Sequence, residues 1–442
     1  MGKGVIKWKI KKELLFIHCG CKVNQYETNA MLQKFVEAGY EAVDFEEKAD
    51  IYIINTCTVT NISDKKSRQI IRRAKHTNNN AIVAAVGCYA QVAKDKLEDI
   101  PEIDLVLGTS EKNNIVKYVE DFFSSKEAVE EVSDVMHQSE FLDFGSVTYT
   151  EKTRAVIKIQ DGCDRFCSYC IIPYARGRVR SRKIESIVKE VEQITQEEIK
   201  EIVITGIHIA SYGKDFKDGT SLIDLLEAIN QVSDLKRIRL SSIEPTIITE
   251  EFMERLIKID KLCPHFHLSL QSGCTETLKR MNRRYTAEEF EKCTESLRKN
   301  YPDCALTTDI IVGFPGETEE EFKQTYKFLS KIKFYQMHVF KYSPREGTKA
   351  AIMPNQISPE KKEERSRMLI ELSHKNEAEY KQKFINKTVE VLFEQPEGDY
   401  IIGHTPNYLK VAVKGNMDLE NQIKKVQILE NGEEFLIGTI VE

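Results

Sequence analysis

Short apolar runs alternate with helix-period segments from residue 13 to about 115. LLFIHCG, ADIYIINTC, AIVAAVGC and IDLVLGT are the apolar runs, separated by stretches such as NAMLQKFVEAGYEA. Apolar runs of this length bounded by turn residues fit buried strands, and the βαβα rhythm predicts a parallel sheet. From residue 116 the pattern turns acidic and loses its period, as in EAVEEVSDVMHQSEF, which predicts a linker over 119–148. A longer alternation follows, with AVIKIQ, EIVITG, RIRLSS, FHLSL, LTTDIIVGF and YQMHVFKY as strands and IESIVKEVEQITQ and TEEEFKQTYKFLSKI as helices. Six βα units predict a partial (β/α)6 barrel over 149–378, a fold in which chemistry collects at the C-terminal strand ends. Past the charged helix SPEKKEERSRMLIELSHKNEAEYKQKF, the runs TVEVLFE, YIIGHT, LKVAVKG, KKVQIL and FLIGTIVE predict a small β-barrel over 379–442.

Composition changes this picture little. At 442 residues, 41% hydrophobic and 30% charged, the chain has the make-up of a soluble globular protein of about three domains. No apolar run approaches the ~18 residues of a membrane helix. The start, MGKGVIKWKIKK, carries lysines without the apolar stretch of a signal peptide, and Ile6 stands where a myristoylation signal after Gly2 needs Ser or Thr. The expected location is therefore the cytoplasm, with no membrane partner. In that reducing compartment eleven cysteines, an odd number, are expected as thiols or metal ligands rather than disulfides. A net charge of −6 argues against nucleic-acid binding by whole-molecule charge but leaves two basic patches. One is KKSRQIIRRAK (65–75); the other is ARGRVRSRK, with Arg176, Arg178, Arg180, Arg182 and Lys183. Taken alone, each fits a solvated face.

The cysteines carry more. DGCDRFCSYC (161–170) places Cys163, Cys167 and Cys170 in a C-x3-C-x2-C run where a strand passes into a loop, crowded by Asp161, Asp164, Arg165 and Ser168. That polar company is wrong for core packing. Zinc takes four ligands, and no further Cys or His follows within thirty residues. An iron–sulfur cluster with one iron left open fits the shortage. Cys21, Cys57 and Cys88 each follow a different predicted strand of the N-terminal sheet; parallel strands share their C-terminal edge, so these thiols can converge on a second three-ligand site. Cys19 competes with Cys21, which is preferred because it lies in the loop. Cys263, Cys274, Cys293 and Cys304 lack ligand spacing and are expected to be structural. Further barrel strand ends hold Gly206, Ser242, Glu244, Gln271, Asp309 and Gly313, each a weak signal that gains weight from the shared position.

C-x3-C-x2-C at the end of the first barrel strand, with the aromatic Tyr169 before the third cysteine, resembles the radical SAM superfamily. The resemblance implies a [4Fe–4S] cluster on Cys163, Cys167 and Cys170 whose free iron chelates S-adenosylmethionine. Tyr169 and the six strand-end residues are then candidates to grip that cofactor. A flavodoxin-like cluster domain (12–118), a radical SAM barrel and a terminal segment with GHTPNY resembling a TRAM domain together resemble the methylthiotransferase family over nearly the whole chain. GCKVNQYE is similar to the branch acting on threonylcarbamoyladenosine in tRNA, whereas the isopentenyladenosine branch tends to have Gln and Met after that cysteine and the ribosomal-aspartate branch a PKN pattern.

What the resemblance implies is a tRNA-modifying enzyme with two [4Fe–4S] clusters, the second on Cys21, Cys57 and Cys88, using two S-adenosylmethionines per product. A 5′-deoxyadenosyl radical takes the hydrogen from carbon 2 of adenosine 37, where a methylthio group is inserted. The expected partners are the anticodon loop and an electron donor such as flavodoxin or ferredoxin, and the chain is expected to be a monomer. Unstacked loop bases are read by stacking and polar contacts, so Arg176, Arg178, Arg180, Arg182, Lys183, Tyr408 and Lys410 are RNA-binding candidates, with His404 and Asn407 beside the last two. Residues 381–442 hold seven Lys and no Arg against ten Asp plus Glu, a poor electrostatic clamp. The alternatives are the same chemistry on isopentenyladenosine or a ribosomal protein aspartate, and a non-catalytic RNA-binding protein with two zinc sites.

Overall fold

Strands buried on both faces need not alternate, and β1 (Glu13–His18), β3 (Ile51–Thr56) and β4 (Ile82–Gly87) follow that rule to different degrees, the last two being buried along their whole length. The computed structural model describes residues 12–43, 47–148, 153–415 and 417–441; the reading of residues 1–11 as free of a leader lies outside these. With β2 (Glu41–Ala42), β5 (Leu105–Leu107) and β6 (Val129–Glu131), the strands form one parallel sheet in the order β2-β1-β3-β4-β5-β6. Helices such as Lys22–Glu37 and Asn61–Thr77 supply the crossovers. Packing divides the described residues into two units: this sheet together with Ile171–Arg178, and the remainder.

The segment expected as a linker, 119–148, departs from that reading. The helix Ile115–Ser125 runs into it, and β6 pairs with β5 from Leu105↔Val129 to Leu107↔Glu131. The acidic sequence concealed a strand because β6 is a sheet edge, where charged residues are tolerated and protective.

In the second unit, β7 (Arg154–Asp161), β9 (Glu201–Gly206) and β10 (Arg237–Leu240) pair in parallel, with β8 (Arg180–Ser181) antiparallel beside β7. β11 (His265–Gln271), β12 (Ala305–Val312) and β13 (Gln336–Lys341) form a second parallel set, joined to the first by bridges Ile238↔Leu262 and Ile243↔Leu268. The six parallel strands are the expected partial barrel. Along each, alternate residues such as Ile157, Ile204, Leu240, Phe266, Ile310 and Val339 pack outward against the helices. Their neighbours face the lumen and are largely polar. Capping boxes at Thr286/Glu289 and Thr318/Glu321 fix the starts of the helices Ala287–Asn300 and Glu319–Ile332.

The C-terminal strands β14 (Thr388–Glu397), β15 (Tyr400–His404), β16 (Lys410–Lys414), β17 (Ile423–Asn431) and β18 (Leu436–Ile440) close a barrel in the order β14-β15-β16-β18-β17. Its 405–408 loop floors the larger barrel. Tyr408, at φ +67°, stacks between His265 and His404, both at 4.7 Å between centroids, and under the Arg239 guanidinium at 4.7 Å. Arg239 in turn donates to Glu201 at 2.7 Å and to the Pro406 carbonyl at 2.9 Å, and Arg237 to the His404 carbonyl at 3.0 Å. Two aromatic stacks and a cation–π contact meet in this one side chain, so Tyr408→Ala should lower the stability of the second unit by about 2 kcal/mol, measured by denaturant unfolding.

Candidate functional site

The Cys163–Cys170 loop leaves β7 through a turn that backbone donors and acceptors hold tightly. Gly162 adopts φ +69° and donates to Asp161 Oδ1 at 2.8 Å, while Lys158 pairs with the same carboxylate at 2.5 Å. Asn282 Nδ2 donates to the Phe166 carbonyl at 3.0 Å, Ser168 N to the Met281 carbonyl at 3.0 Å, and Ala350 N to the Ser168 carbonyl at 2.7 Å. The Cys170 amide reaches back to the Cys167 carbonyl at 2.9 Å, closing a turn between two of the thiols. Burial pushes the Cys163 thiol up to about 11, with Cys167 and Glu244 adding to it, and Arg283 Nη1 lies 3.3 Å from Cys167 Sγ. A buried Cys163 thiol coupled to its neighbours, with a guanidinium on Cys167, suits a ligand set that loses protons to a metal.

The second triad sits on the C-terminal edge of the N-terminal sheet. Cys21 caps the helix Lys22–Glu37, Cys57 follows β3 and Cys88 opens the helix after β4. Gly20 lies against Cys57; at φ +98°, a Cβ on it would stand 2.6 Å from Cys57 Sγ. Burial raises the Cys57 thiol to about 11, and Cys88 and Cys21 both add to the shift, so the three sulfurs feel one another. Cys19 points elsewhere, toward Ser67 and Lys66, which favours Cys21 as the ligand.

Beneath Cys88 lies a buried charge network. Arg176, 1% exposed, donates through Nε to Cys88 Sγ at 3.2 Å, through Nη1 to Glu27 Oε1 at 2.7 Å and through Nη2 to Asn24 Oδ1 at 2.8 Å. Lys112 Nζ lies 2.5 Å from Glu27 Oε2 and 2.9 Å from Asn55 Oδ1. Two cations face one carboxylate here. Burial lowers the Lys112 pKa, with Glu27 and Cys88 acting against it, and burial raises the Cys88 thiol, with Arg176 and Lys112 acting against that, so the two cations offset part of the cost of a thiolate at Cys88. The donor set therefore fits a thiolate-ligated cluster.

The strand-end candidates separate by surroundings. Glu244 is buried with His208 Nε2 at 3.1 Å, Arg283 at 3.6 Å and Arg165 paired to it; burial opposes its charge, but His208 and the two arginines hold its pKa down to about 2. It orders the arginines around the cysteine loop. Gly206 and Gly313 are sites of close approach: a Cβ would meet the Gln160 carbonyl at 3.0 Å and Lys362 Cγ at 2.3 Å, respectively. Gln271 sits at φ +71° on an irregularity of β11, and Ser242 is exposed. Tyr169 packs edge-on to Phe314 at 6.3 Å. Asp309 faces the lumen beside His267, at 3.3 Å. Arg283, Glu27 and Lys112 were not legible as site residues, since no spacing links them to a cysteine.

The basic-patch expectation is corrected in part. Arg176, Arg180 and Arg182 are buried, Arg176 beneath Cys88 and Arg182 in a pair with Glu190; Arg178 and Lys183 are exposed. Arginine turned inward toward carboxylates has the same sequence signature as arginine turned to solvent. Tyr408 is part-buried and stacked in the barrel floor, Asn407 bonds Tyr380 at 2.9 Å, His404 bonds Glu394 at 2.7 Å, and Lys410 pairs with Glu397 at 3.3 Å. The helix Asn61–Thr77 exposes Lys65, Lys66, Arg72 and Arg73.

Comparison with known proteins follows the same division. Residues 157–329 match the radical SAM superfamily and residues 13–108 a family described as Uncharacterized protein family UPF0004. The fold is similar to that of the radical S-adenosylmethionine methyltransferase TsrM from Kitasatospora setae, with a TM-score of 0.58 and 16% identity over 78% of this chain and 77% of that one. The fold and the three-cysteine loop thus define a radical SAM protein. The chain is 44% identical to the threonylcarbamoyladenosine tRNA methylthiotransferase MtaB of Bacillus subtilis over 96% of its length and 95% of that protein's. It is 39% identical to the protein of that name from Aquifex aeolicus, over 93% and 99%. To the tRNA-2-methylthio-N(6)-dimethylallyladenosine synthase of Moorella thermoacetica it is 34% identical, over 98% and 99%. The chain belongs to the radical SAM methylthiotransferase family.

Two expectations follow from the thiol sites. Cys57→Ala should lower the iron content of anaerobically reconstituted protein from about eight to about four per chain, read by metal analysis. Arg176→Ala, which takes a buried donor from Glu27, Asn24 and Cys88 while Lys112 stays paired with Glu27, should destabilise the first unit by about 2–3 kcal/mol in denaturant unfolding.

Proposed function

We propose that this enzyme inserts a methylthio group at carbon 2 of threonylcarbamoyladenosine at position 37 of tRNA, giving the 2-methylthio derivative. One observation carries the reading: two separate three-thiol sites, each with an arginine on a sulfur, occur in a chain more similar to the Bacillus threonylcarbamoyladenosine enzyme (44%) than to the Moorella dimethylallyladenosine enzyme (34%). A single cluster would serve radical generation alone; a second three-thiol site suits sulfur delivery.

In this reading Cys163, Cys167 and Cys170 hold one [4Fe–4S] cluster and Cys21, Cys57 and Cys88 the other. When bound, the first supplies the electron that splits S-adenosylmethionine and the second a sulfur acceptor or donor. The chain's own side chains position rather than react. Arg283 keeps a positive charge beside Cys167, Glu244 holds Arg283 and Arg165 in place, and Arg176 does for Cys88 what Arg283 does for Cys167. Hydrogen bonds to ligand sulfur raise a cluster's potential and orient the ligand. Tyr169, Gly206, Ser242, Gln271 and Gly313, on the same barrel mouth, are assigned to S-adenosylmethionine.

Phosphate contact falls to the exposed bases Arg178 and Lys183 and to the Lys65–Arg73 helix face. The C-terminal barrel is assigned as a TRAM domain, the electron donor as a flavodoxin or ferredoxin, the working form as a cytoplasmic monomer. No helix among the described residues is long and apolar enough to cross a membrane.

Nucleoside mass analysis of tRNA from a deletion strain tests the reading: the methylthio mark on threonylcarbamoyladenosine should vanish and return with the wild-type gene. An unchanged profile overturns it. Cys167→Ala should abolish both S-adenosylmethionine cleavage and complementation, whereas Cys57→Ala should retain 5′-deoxyadenosine formation and fail to complement.

A further inference from the structure

Three adjacent barrel strands place a polar cluster on the lumen wall. His267 on β11, Asp309 on β12 and His338 on β13 are on the side opposite the outward-packed Phe266, Leu268, Ile310, Met337 and Val339. Asp309 and His338 are direct register partners, the ligating atoms of all three lie within 4.8 Å of one another, and the two imidazole rings are 5.7 Å apart. Thr307 Oγ1 lies 3.0 Å from His267 Nδ1 and 3.2 Å from His265 Nε2, so the ring is set from below by the same layer that carries Tyr408. That hydrogen bond turns Nε2 of His267 toward Asp309, at 3.3 Å.

We propose that His267, Asp309 and His338 form the subsite that recognises the threonylcarbamoyl group of the substrate, selecting it over an apolar adenine substituent; this rests on the function proposed above. A threonylcarbamoyl group offers a carboxylate, a hydroxyl and ureido N–H groups. His338 donates to the carboxylate, His267 holds Asp309 through Nε2, and Asp309 accepts from the hydroxyl or a ureido N–H. Of the cations lower in the lumen, Arg239 and Arg237 are tied to Glu201, and Lys158 to Asp161. Carboxylate recognition on this wall therefore falls to His338. A dimethylallyl group would strip water from three polar side chains and return no hydrogen bond, and a site built for hydrogen bonding rejects such an analogue far more strongly than an apolar pocket rejects an added polar group. Asp309, expected from its strand-end position to touch S-adenosylmethionine, is reassigned here to the substrate.

The test uses reconstituted holoenzyme and one tRNA carrying either threonylcarbamoyladenosine or dimethylallyladenosine at position 37, with methylthio product quantified by nucleoside mass spectrometry. His338→Ala should raise KM for the threonylcarbamoyl tRNA about tenfold or more, with a smaller effect on kcat, and shrink the preference between the two tRNAs by a similar factor. Asp309→Asn, nearly isosteric, should do the same with the cluster absorbance of the wild type, which separates recognition from misfolding. Equal losses on both tRNAs, or a preference unchanged in both variants, would overturn the assignment alone. A wild type that modifies only the dimethylallyl tRNA would overturn the proposed function and this subsite with it. One divalent ion per chain beyond the cluster iron, lost in His338→Ala, would also overturn the assignment by making the triad a metal site.

Discussion

Charge taken out of water must be met by opposite charge or hydrogen bonds, and most of this protein's functional architecture follows from that demand. Below Cys88, Arg176 and Lys112 converge on Glu27 in a region closed to solvent. Beside Cys167, Arg283 and Arg165 converge on Glu244. At the barrel floor, Arg154, Arg237 and Arg239 converge on Glu201, whose carboxyl is held below its ordinary range by those guanidinium groups against the cost of burial. Such groups contribute modest net stability; their value is geometric, since a bidentate guanidinium tolerates few alternative placements.

The two cysteine triads share a design that differs in its means. At the barrel, one loop brings three thiols together over eight residues, and hydrogen bonds from the 280s and from Ala350 clamp it. In the N-terminal sheet, three strand ends bring together thiols 67 residues apart in the chain (Cys21 to Cys88), and parallel topology does what the loop does elsewhere. The segment immediately after Cys170 belongs to the N-terminal unit and carries Arg176 to Cys88. Six residues of chain therefore separate Cys170, in one triad, from the arginine that bonds a thiol of the other.

The barrel lumen is polar and layered. Its lower layer is closed by Tyr408 and the His265 ring, while the layer above presents His267, Asp309 and His338. Strands, rather than loops, carry all three, and strand registry sets Asp309 directly beside His338.

Periodicity alone identified the parallel sheet, the six barrel strands and the closing β-barrel, because buried strands and amphipathic helices must write their faces into the chain. Spacing singled out Cys163, Cys167 and Cys170, and predicted strand ends singled out Cys21, Cys57 and Cys88, which lie at the ends of their strands in the folded chain. The sequence could not separate the arginines of ARGRVRSRK, where Arg176, Arg180 and Arg182 turn inward while Arg178 and Lys183 remain outside. It read β6 as part of a linker because an edge strand has no buried face to advertise, and nothing in it foretold that Tyr408 stacks between His265 and His404. Pairings such as Arg176 with Cys88, or His267 with Asp309 and His338, join residues whose separation follows no period. Local pattern determines which elements form and which face is apolar; only the packed chain decides which charge meets which, because that depends on distances between elements far apart in sequence.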